Sequence, residues 1–465
     1  VAPRFGVPDT TAPAAHVPPD GVGVALGEDG EEDPPHPPRI KERPSSAATG
    51  GVGPNRVLFD TMIKLTRVGL RAFDYRLPSE MEPHTPDEGS SAPGVERSGK
   101  TAPRRSFIRD IVLICLGLKV LLLVLGAVAT EVRLDRPFRD PGAILGVWNQ
   151  WDSKHYFDLA ENGYSDQGDS TTLVLPPLLS LLVRGASRFT GSFMSAGVLV
   201  ATLLSFLPAL LLFKLARLDL DEENSFRAAL VLLFFPTAFF LHIVYTEALF
   251  LTTVLGAFLA ARRGDWKAVA VFGVLAGLTR INAFVLAPAL LAEAWGPALK
   301  GRALRVLASL SVVPGIAIYL AINYAVAGDP FAFIKLQHDA FYRSFAWPWE
   351  GALAVFHLAS DGGADSMMSG VAQAVFIPLL LAGCAASAFK QRLSYAIWMI
   401  GNTLVFTAQG FWISVPRLVL VLFPAFIWFA PRLAANPVLA TLWFAGSTLF
   451  LSFLAGQFAQ GWWVS

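Results

Sequence analysis

The sequence is short of charge, of cysteine and of recognisable hydrolase or nucleotide motifs, and each scarcity closes off a class of protein. Only 16% of its 465 residues are Asp, Glu, Lys or Arg, where a soluble domain carries about a quarter. Most of the chain is therefore not built to face water. A formal net charge of +1 leaves no basic excess for a polyanion, so nucleic acid is not an expected partner. The two cysteines, Cys115 and Cys384, lie inside apolar runs and read as small hydrophobes rather than a disulfide or a metal pair. His155, His242 and His338 are scattered and show no ligand spacing. There is no HExxH, no glycine-rich phosphate loop and no GxSxG, which removes the zinc peptidases, the P-loop enzymes and the serine hydrolases. Metal dependence stays open. No cleavable leader is expected, because the first long apolar segment starts beyond residue 105.

Residues 1–105 are made differently from the rest. Runs such as TTAPAAHVPP, EDGEEDPPHPPRIKERPSS and MEPHTPDEGSSAPG are rich in Pro, Gly, Ser and charge, and they cannot bury enough apolar area to offset the entropy of ordering. This tail reads as disordered and cytoplasmic. One island, residues 56–77, places Lys64, Arg67 and Arg71 on one helical face and Leu58, Met62 and Leu65 on another. It is a candidate amphipathic helix for an anionic membrane surface, or a transient helix without a role.

From Phe107 onward apolar segments follow one another with short polar joints. Crossing a bilayer takes roughly 20 helical residues. The pattern predicts spans near 107–130, 193–214, 226–243, 246–263, 267–280, 283–295, 305–325, 371–389, 394–412, 416–430 and 437–458, with 131–192 as the first external loop. Two of these, 267–280 and 283–295, are too short for ordinary spans and read as half-penetrating helices. Residues 172–190 contain Pro176-Pro177, which breaks a helix, and read as an interfacial segment. Basic residues favour the cytoplasmic side. Arg104, Arg105 and Arg109 place the tail inside, and Lys214, Arg217, Arg262, Arg263, Lys267, Lys300, Arg302, Arg305, Lys390, Arg392 and Arg432 then fall inside too. The unusual polar clusters collect at the opposite ends, which predicts an outward-facing site.

The most informative stretch is WNQWDSKHYFDLAENGY, residues 148–164. In a helix, Trp148, Asp152, His155 and Leu159 share one face, setting a carboxylate and an imidazole among aromatic rings at the membrane edge. Such a group takes a proton from a hydroxyl. The plain alternative is that Asp152 caps a helix beginning at Ser153. Glu247 sits between apolar runs and either orients an arginine or a sugar hydroxyl, or marks a simple turn. Arg280 either pairs with Glu247 or holds a phosphate in a bidentate fork. Arg417 is a second phosphate candidate, or an interfacial anchor. Trp347 and Trp349 lie in the loop GDPFAFIKLQHDAFYRSFAWPWEG, at the headgroup level where aromatics are common.

Taken together and in order, WDSKHYFDLAENGY, FFPTAFFLHIVYTEALF, LAGLTRINAF, GDPFAF with WPW, PRLVLVLFPAF and GWWVS resemble the PIG-V-like mannosyltransferases over about 105–465, and the Ala/Arg/Val/Pro bias suits a bacterial member. The resemblance departs at TTLVLPPLL, where that family carries an aromatic FPLYP-like run. It implies an all-α multi-pass membrane protein, a GT-C-like bundle of about 11 transmembrane helices with an external catalytic loop after the first. It also implies a polyprenyl-phosphate mannose donor as co-substrate, with Asp152 as general base. Arg280 and Arg417 would stabilise the departing phosphate, and Trp151, His155, Tyr156, Glu247 and Trp347 would complete the substrate contacts. No resident cofactor is implied, and the acceptor is a glycan, a lipid or a protein. The expected activity is hexosyl transfer on the outer face of the plasma membrane. Two other classes compete with it. A flippase of lipid-linked sugars would carry ionisable residues mid-membrane between repeated helix sets, and no internal repeat is evident. A non-catalytic scaffold would leave Asp152 dispensable.

Overall fold

A helix that is apolar all round must be buried all round, and Thr246–Arg262 is such a helix: every residue from 246 to 261 is buried. The rest of the bundle wraps it. Leu207–Ala216, Trp266–Gly277, Leu286–Ala294 and Phe193–Ser205 pack against it. Phe258 meets Trp398, Phe423 and Tyr395 edge-on at ring-centroid distances of 6.2, 5.1 and 5.6 Å. The computed structural model describes residues 106–134, 141–167, 171–295, 301–341, 344–360, 364–410, 412 and 414–464. The tail at 1–105 and its 56–77 island lie outside the described residues.

All described elements are helical, apart from one antiparallel bridge between Phe345 and Gln409. Among the described residues four helices are long and apolar enough to cross a membrane: Phe107–Val132, Phe193–Ala216, Arg302–Ala327 and Pro437–Ala459. Shorter apolar helices cover Trp266–Gly277, Ile281–Ala294, Phe376–Lys390 and Leu393–Thr407. The chain is thus an all-helical, multi-pass membrane protein, but the expected count of eleven spans is not matched element for element. The 226–243 segment is a helix only over Glu222–Leu233, then a turn at Pro236 and a short 3-10 stretch at Ala238–Leu241. The 416–430 segment splits into Val415–Val419 and Pro424–Ala435. Both breaks fall at prolines, which lack the amide a continuing helix needs. The broken segments support each other: Thr237 Oγ1 donates to the Pro416 carbonyl (2.9 Å), and Lys119 Nζ to the His242 carbonyl (2.7 Å).

Close packing sets where Arg280 emerges. Gly273 and Gly277 form a GxxxG pair facing Val312 and Gly315, and a Cβ on Gly277 would lie 2.5 Å from the Val312 carbonyl oxygen. Only a bare backbone permits that approach. The turn that follows is held to the first loop by Leu178 N donating to the Leu278 carbonyl (3.1 Å).

The 131–192 region is helical rather than a free loop: Pro141–Gly146, Asp152–Asn162, a 3-10 turn at Thr172–Val174 and Leu178–Thr190. The last helix starts at Leu178, just after Pro176-Pro177, where the prolines interrupt a continuous helix. Its Arg184 turns back onto the preceding helix. Nε donates to the Ala160 carbonyl (2.6 Å) and Nη2 to that of Glu161 (3.2 Å), a cation at a helix C-terminus where carbonyls are otherwise unpaired.

Candidate active site

The helix that carries Asp152 begins at Asp152 itself, with Trp151 in the capping position and making no side-chain cap bond. Asp152 is therefore a first-turn residue rather than the N-cap. Its Oδ2 accepts a hydrogen bond from Arg417 Nη1 at 2.7 Å, across 265 residues of sequence. Trp148 lies outside this helix, stacked on Phe458 (6.2 Å, 15°), so the expected four-residue face begins only at Asp152.

The Asp152–Arg417 pair belongs to a group of four charges. Arg417 Nε lies 3.0 Å from Glu247 Oε1, without hydrogen-bond alignment, and Arg280 Nη2 donates to the same oxygen at 3.0 Å. The Glu247 side chain is 0% exposed, Arg417 6%, Arg280 14% and Asp152 22%. Two carboxylates and two guanidiniums cancel formally, which is how charges survive burial. Arg417 also lies over the rings of Tyr245 (5.3 Å) and Phe240 (5.7 Å), and Arg280 over Phe250 (5.7 Å). These cation–π contacts replace part of the lost hydration. Of the four, Asp152 is the most open to an incoming molecule.

The group is incompletely paired. Glu247 Oε2 and Arg280 Nη1 are buried without hydrogen-bond partners. One is an acceptor and the other a donor, and a buried unpaired group of this kind costs about 1–3 kcal/mol. An arrangement that keeps both is suited to a ligand carrying the complementary groups.

Neighbouring side chains fix the backbone around Asp152. The Tyr245 hydroxyl donates to the Gln150 carbonyl (3.1 Å), and the Tyr156 hydroxyl lies 3.3 Å from Thr246 Oγ1. Burial, with Asp152 close by, pushes the Tyr156 phenol up to about 12, so it is a neutral hydrogen-bonding group. Trp151 has φ 52° and ψ −125°, a conformation that for a bulky residue stores on the order of 1–3 kcal/mol of strain.

Two of the other expected residues engage partners outside the four charges. His155 Nδ1 is 2.9 Å from Thr171 Oγ1. Trp347 stacks face to face on Trp349 (5.1 Å, 3°), both more than half exposed, and its backbone amide donates to Glu350 (3.2 Å). Among the described residues no three His, Cys, Asp or Glu side chains gather as a metal group. Tyr245 and Gln150 were not singled out individually by the sequence reading. The signal for Tyr245 was its place beside Thr246-Glu247 at a helix junction.

The described residues thus form a helical bundle with a buried acid–arginine group at its helix breaks. Residues 142–312, a segment that holds Asp152, Glu247 and Arg280, match the family described as Mannosyltransferase (PIG-V), in line with the resemblance read from the motifs. No curated protein matches the chain. Among solved structures, ArnT from Cupriavidus metallidurans bound to undecaprenyl phosphate is similar at 17% identity and TM-score 0.44, over 77% of this chain and 78% of that one. The apo oligosaccharyltransferase of Archaeoglobus fulgidus is similar at 13% identity and TM-score 0.39, over 74% of this chain and 56% of its own. The same archaeal enzyme, AglB, with an inhibitory peptide and a dolichol-phosphate, gives 12% identity and TM-score 0.39, over 73% and 55%. The present chain thus spans about half the length of the archaeal enzyme.

Proposed function

We propose that the protein transfers mannose, or another hexose, from a polyprenyl-phosphate donor to an acceptor on the outer face of the membrane, with Asp152 as general base. The observation that carries this reading is the Asp152 carboxylate held 2.7 Å from the buried Arg417, at the most open corner of a charge-balanced group. In the reaction the acceptor hydroxyl gives its proton to Asp152 as its oxygen attacks the anomeric carbon. The bond from that carbon to the phosphate oxygen breaks, its electron pair leaves with the lipid phosphate, and configuration inverts. General-base assistance of this kind is worth on the order of 10²–10⁴-fold.

The remaining roles divide by what each group has left to offer. Arg417 is taken up by two carboxylates and fixes the orientation and charge of Asp152. Arg280 retains a donor at Nη1 for the departing phosphate, and Glu247 Oε2 is an acceptor suited to a sugar hydroxyl. Trp151, His155, Tyr156 and Trp347 are secondary contacts, Trp347 at the rim. On this reading the 1–105 tail faces the cytoplasm and the plasma membrane holds 106–465.

The test is sugar transfer from radiolabelled polyprenyl-phosphate mannose in membranes, comparing wild type with Asp152→Asn. Asparagine keeps the shape but cannot take the proton. Loss of labelling on the 10²-fold scale or beyond at equal expression supports the reading. Equal labelling moves the base to Glu247. Labelling absent from both returns a flippase to first place.

A further inference from the structure

Among the described residues two that are not glycine hold a positive φ, and they lie on the two shoulders of one ion pair. Trp151 (φ 52°, ψ −125°) immediately precedes Asp152, and Ser414 (φ 69°, ψ 25°) opens the turn that carries Arg417. Serine tolerates its left-handed position with modest cost. Tryptophan does not, because its Cβ crowds the backbone there; glycine is the residue that this conformation favours. A tryptophan in its place must be held by something.

What holds it is the segment after the Pro437–Ala459 helix. Trp151 Nε1 donates to the Trp462 carbonyl (3.3 Å), and its ring meets that of Trp463 edge to face (4.9 Å, 87°). Trp463 Nε1 is buried without a hydrogen-bond partner, so the ring contact is what engages this side chain with Trp151. The segment is itself seated: Gly461 (φ 91°) turns the chain, Trp462 N donates to the Gln457 carbonyl (3.1 Å), and Val464 is buried. About one turn earlier Phe458 stacks on Trp148 and meets Tyr245 (5.9 Å), whose hydroxyl holds Gln150. Residues 148–151 are therefore clasped at both ends by 458–463.

We infer that Trp462 and Trp463 are positioning residues for Asp152: they latch Trp151 in a strained backbone conformation and thereby set the angle at which the carboxylate leaves its helix. This rests on Asp152 being the base. Trp462 and Trp463 act through Trp151 and themselves touch neither donor nor acceptor. Misplacing a reacting group by about 1 Å costs on the order of 10²-fold in rate, so the latch is a kinetic device rather than a stabilising one.

The test uses the full chain in membranes that contain the endogenous acceptor, with transfer measured across concentrations of labelled polyprenyl-phosphate mannose. Thermal unfolding of the same variants is followed after solubilisation. Trp463→Ala is expected to lower Vmax by about 10²-fold with unchanged donor KM and nearly unchanged unfolding midpoint. Trp463→Phe, which keeps an aromatic edge, is expected to restore most of Vmax. Trp151→Gly relieves the strain and is expected to unfold no earlier than wild type while losing Vmax. A merely structural contact would make rate and midpoint fall together, and that result overturns the proposal. So does a wild-type Vmax for Trp463→Ala, or a change confined to KM. Asp152→Asn in the same membranes separates the two levels. If it is inactive while Trp463→Ala is active, the latch alone is wrong; if it is fully active, the base assignment falls and the latch falls with it.

Discussion

Two groups of buried or half-buried charges among the described residues are finished to different standards. In one, Arg262 grips Asp219 with two parallel bonds of 2.9 Å, with the Tyr395 hydroxyl 3.3 Å from the guanidinium. Close by in sequence, Arg392 grips Glu293 with two bonds of 3.1 Å and Ser394 adds a third at 2.5 Å. None of these side chains carries a buried unpaired atom. In the other, Asp152, Glu247, Arg280 and Arg417 share single contacts, leave Glu247 Oε2 and Arg280 Nη1 unpaired, and have strained backbone on both sides. Bidentate, satisfied pairs lock helices together. Unsatisfied polar groups and strain persist where a ligand or a reaction needs them.

Substitutions at matched positions test that contrast. The largest effect is expected at Glu247, where Glu247→Ala leaves two largely buried guanidiniums without their shared carboxylate. It should cost about 3–5 kcal/mol in unfolding experiments and abolish transfer. Glu293→Ala is the counterpart in the satisfied group. Its partner Arg392 is 46% exposed and regains water, so the loss is about 1–2 kcal/mol with transfer per folded molecule unchanged. A fall in specific transfer for Glu293→Ala would erase the distinction between the two groups. Tyr156→Phe removes one hydrogen bond, worth about 1 kcal/mol. Because burial holds that phenol protonated to about 12, the pH–rate profile below pH 9 (roughly a unit under an ordinary tyrosine) should not move. The sign for stability follows: the folded state keeps a proton that the unfolded chain releases near pH 10. The Tyr156 contribution is therefore present below that pH and is lost as pH rises toward 12. The smallest effect is expected at Trp347→Ala, on an exposed stacked pair, within about 0.5 kcal/mol, with any kinetic change confined to donor KM.

Much of this was legible in the sequence, and the illegible part has a common cause. Hydropathy reports transfer from water to lipid, so it placed the starts of Phe107–Leu134, Phe193–Ser205 and Pro437–Ala459 within a residue. It cannot separate a continuous span from two pieces joined inside protein, which is why Pro236 and Pro424 interrupt segments that scored as whole. Charged residues in apolar surroundings stand out for the same energetic reason, and Asp152, Glu247, Arg280 and Arg417 were all visible. The Arg280–Glu247 pair was one of the two readings of Arg280, and it forms; the pairing of Arg417 was not legible, because it reaches Asp152 across 265 residues and no local pattern encodes that. Trp148 was assigned to the wrong element because the 3.6-residue period continues across a turn as easily as through a helix.

The Thr246–Arg262 helix carries Glu247 in its first turn and Arg262 in its last, so one strut of 17 residues bears an anchor of each charge group. It is buried on every side from Thr246 to Ala261. Helices at a bilayer boundary tolerate drift on the lipid side, and a saturation scan of them shows periodic permissive positions. This one offers no such side. Tolerance along it should be uniformly low, without periodicity, and an aperiodic block of intolerance is the genetic signature by which the axis of the molecule can be found without any structure.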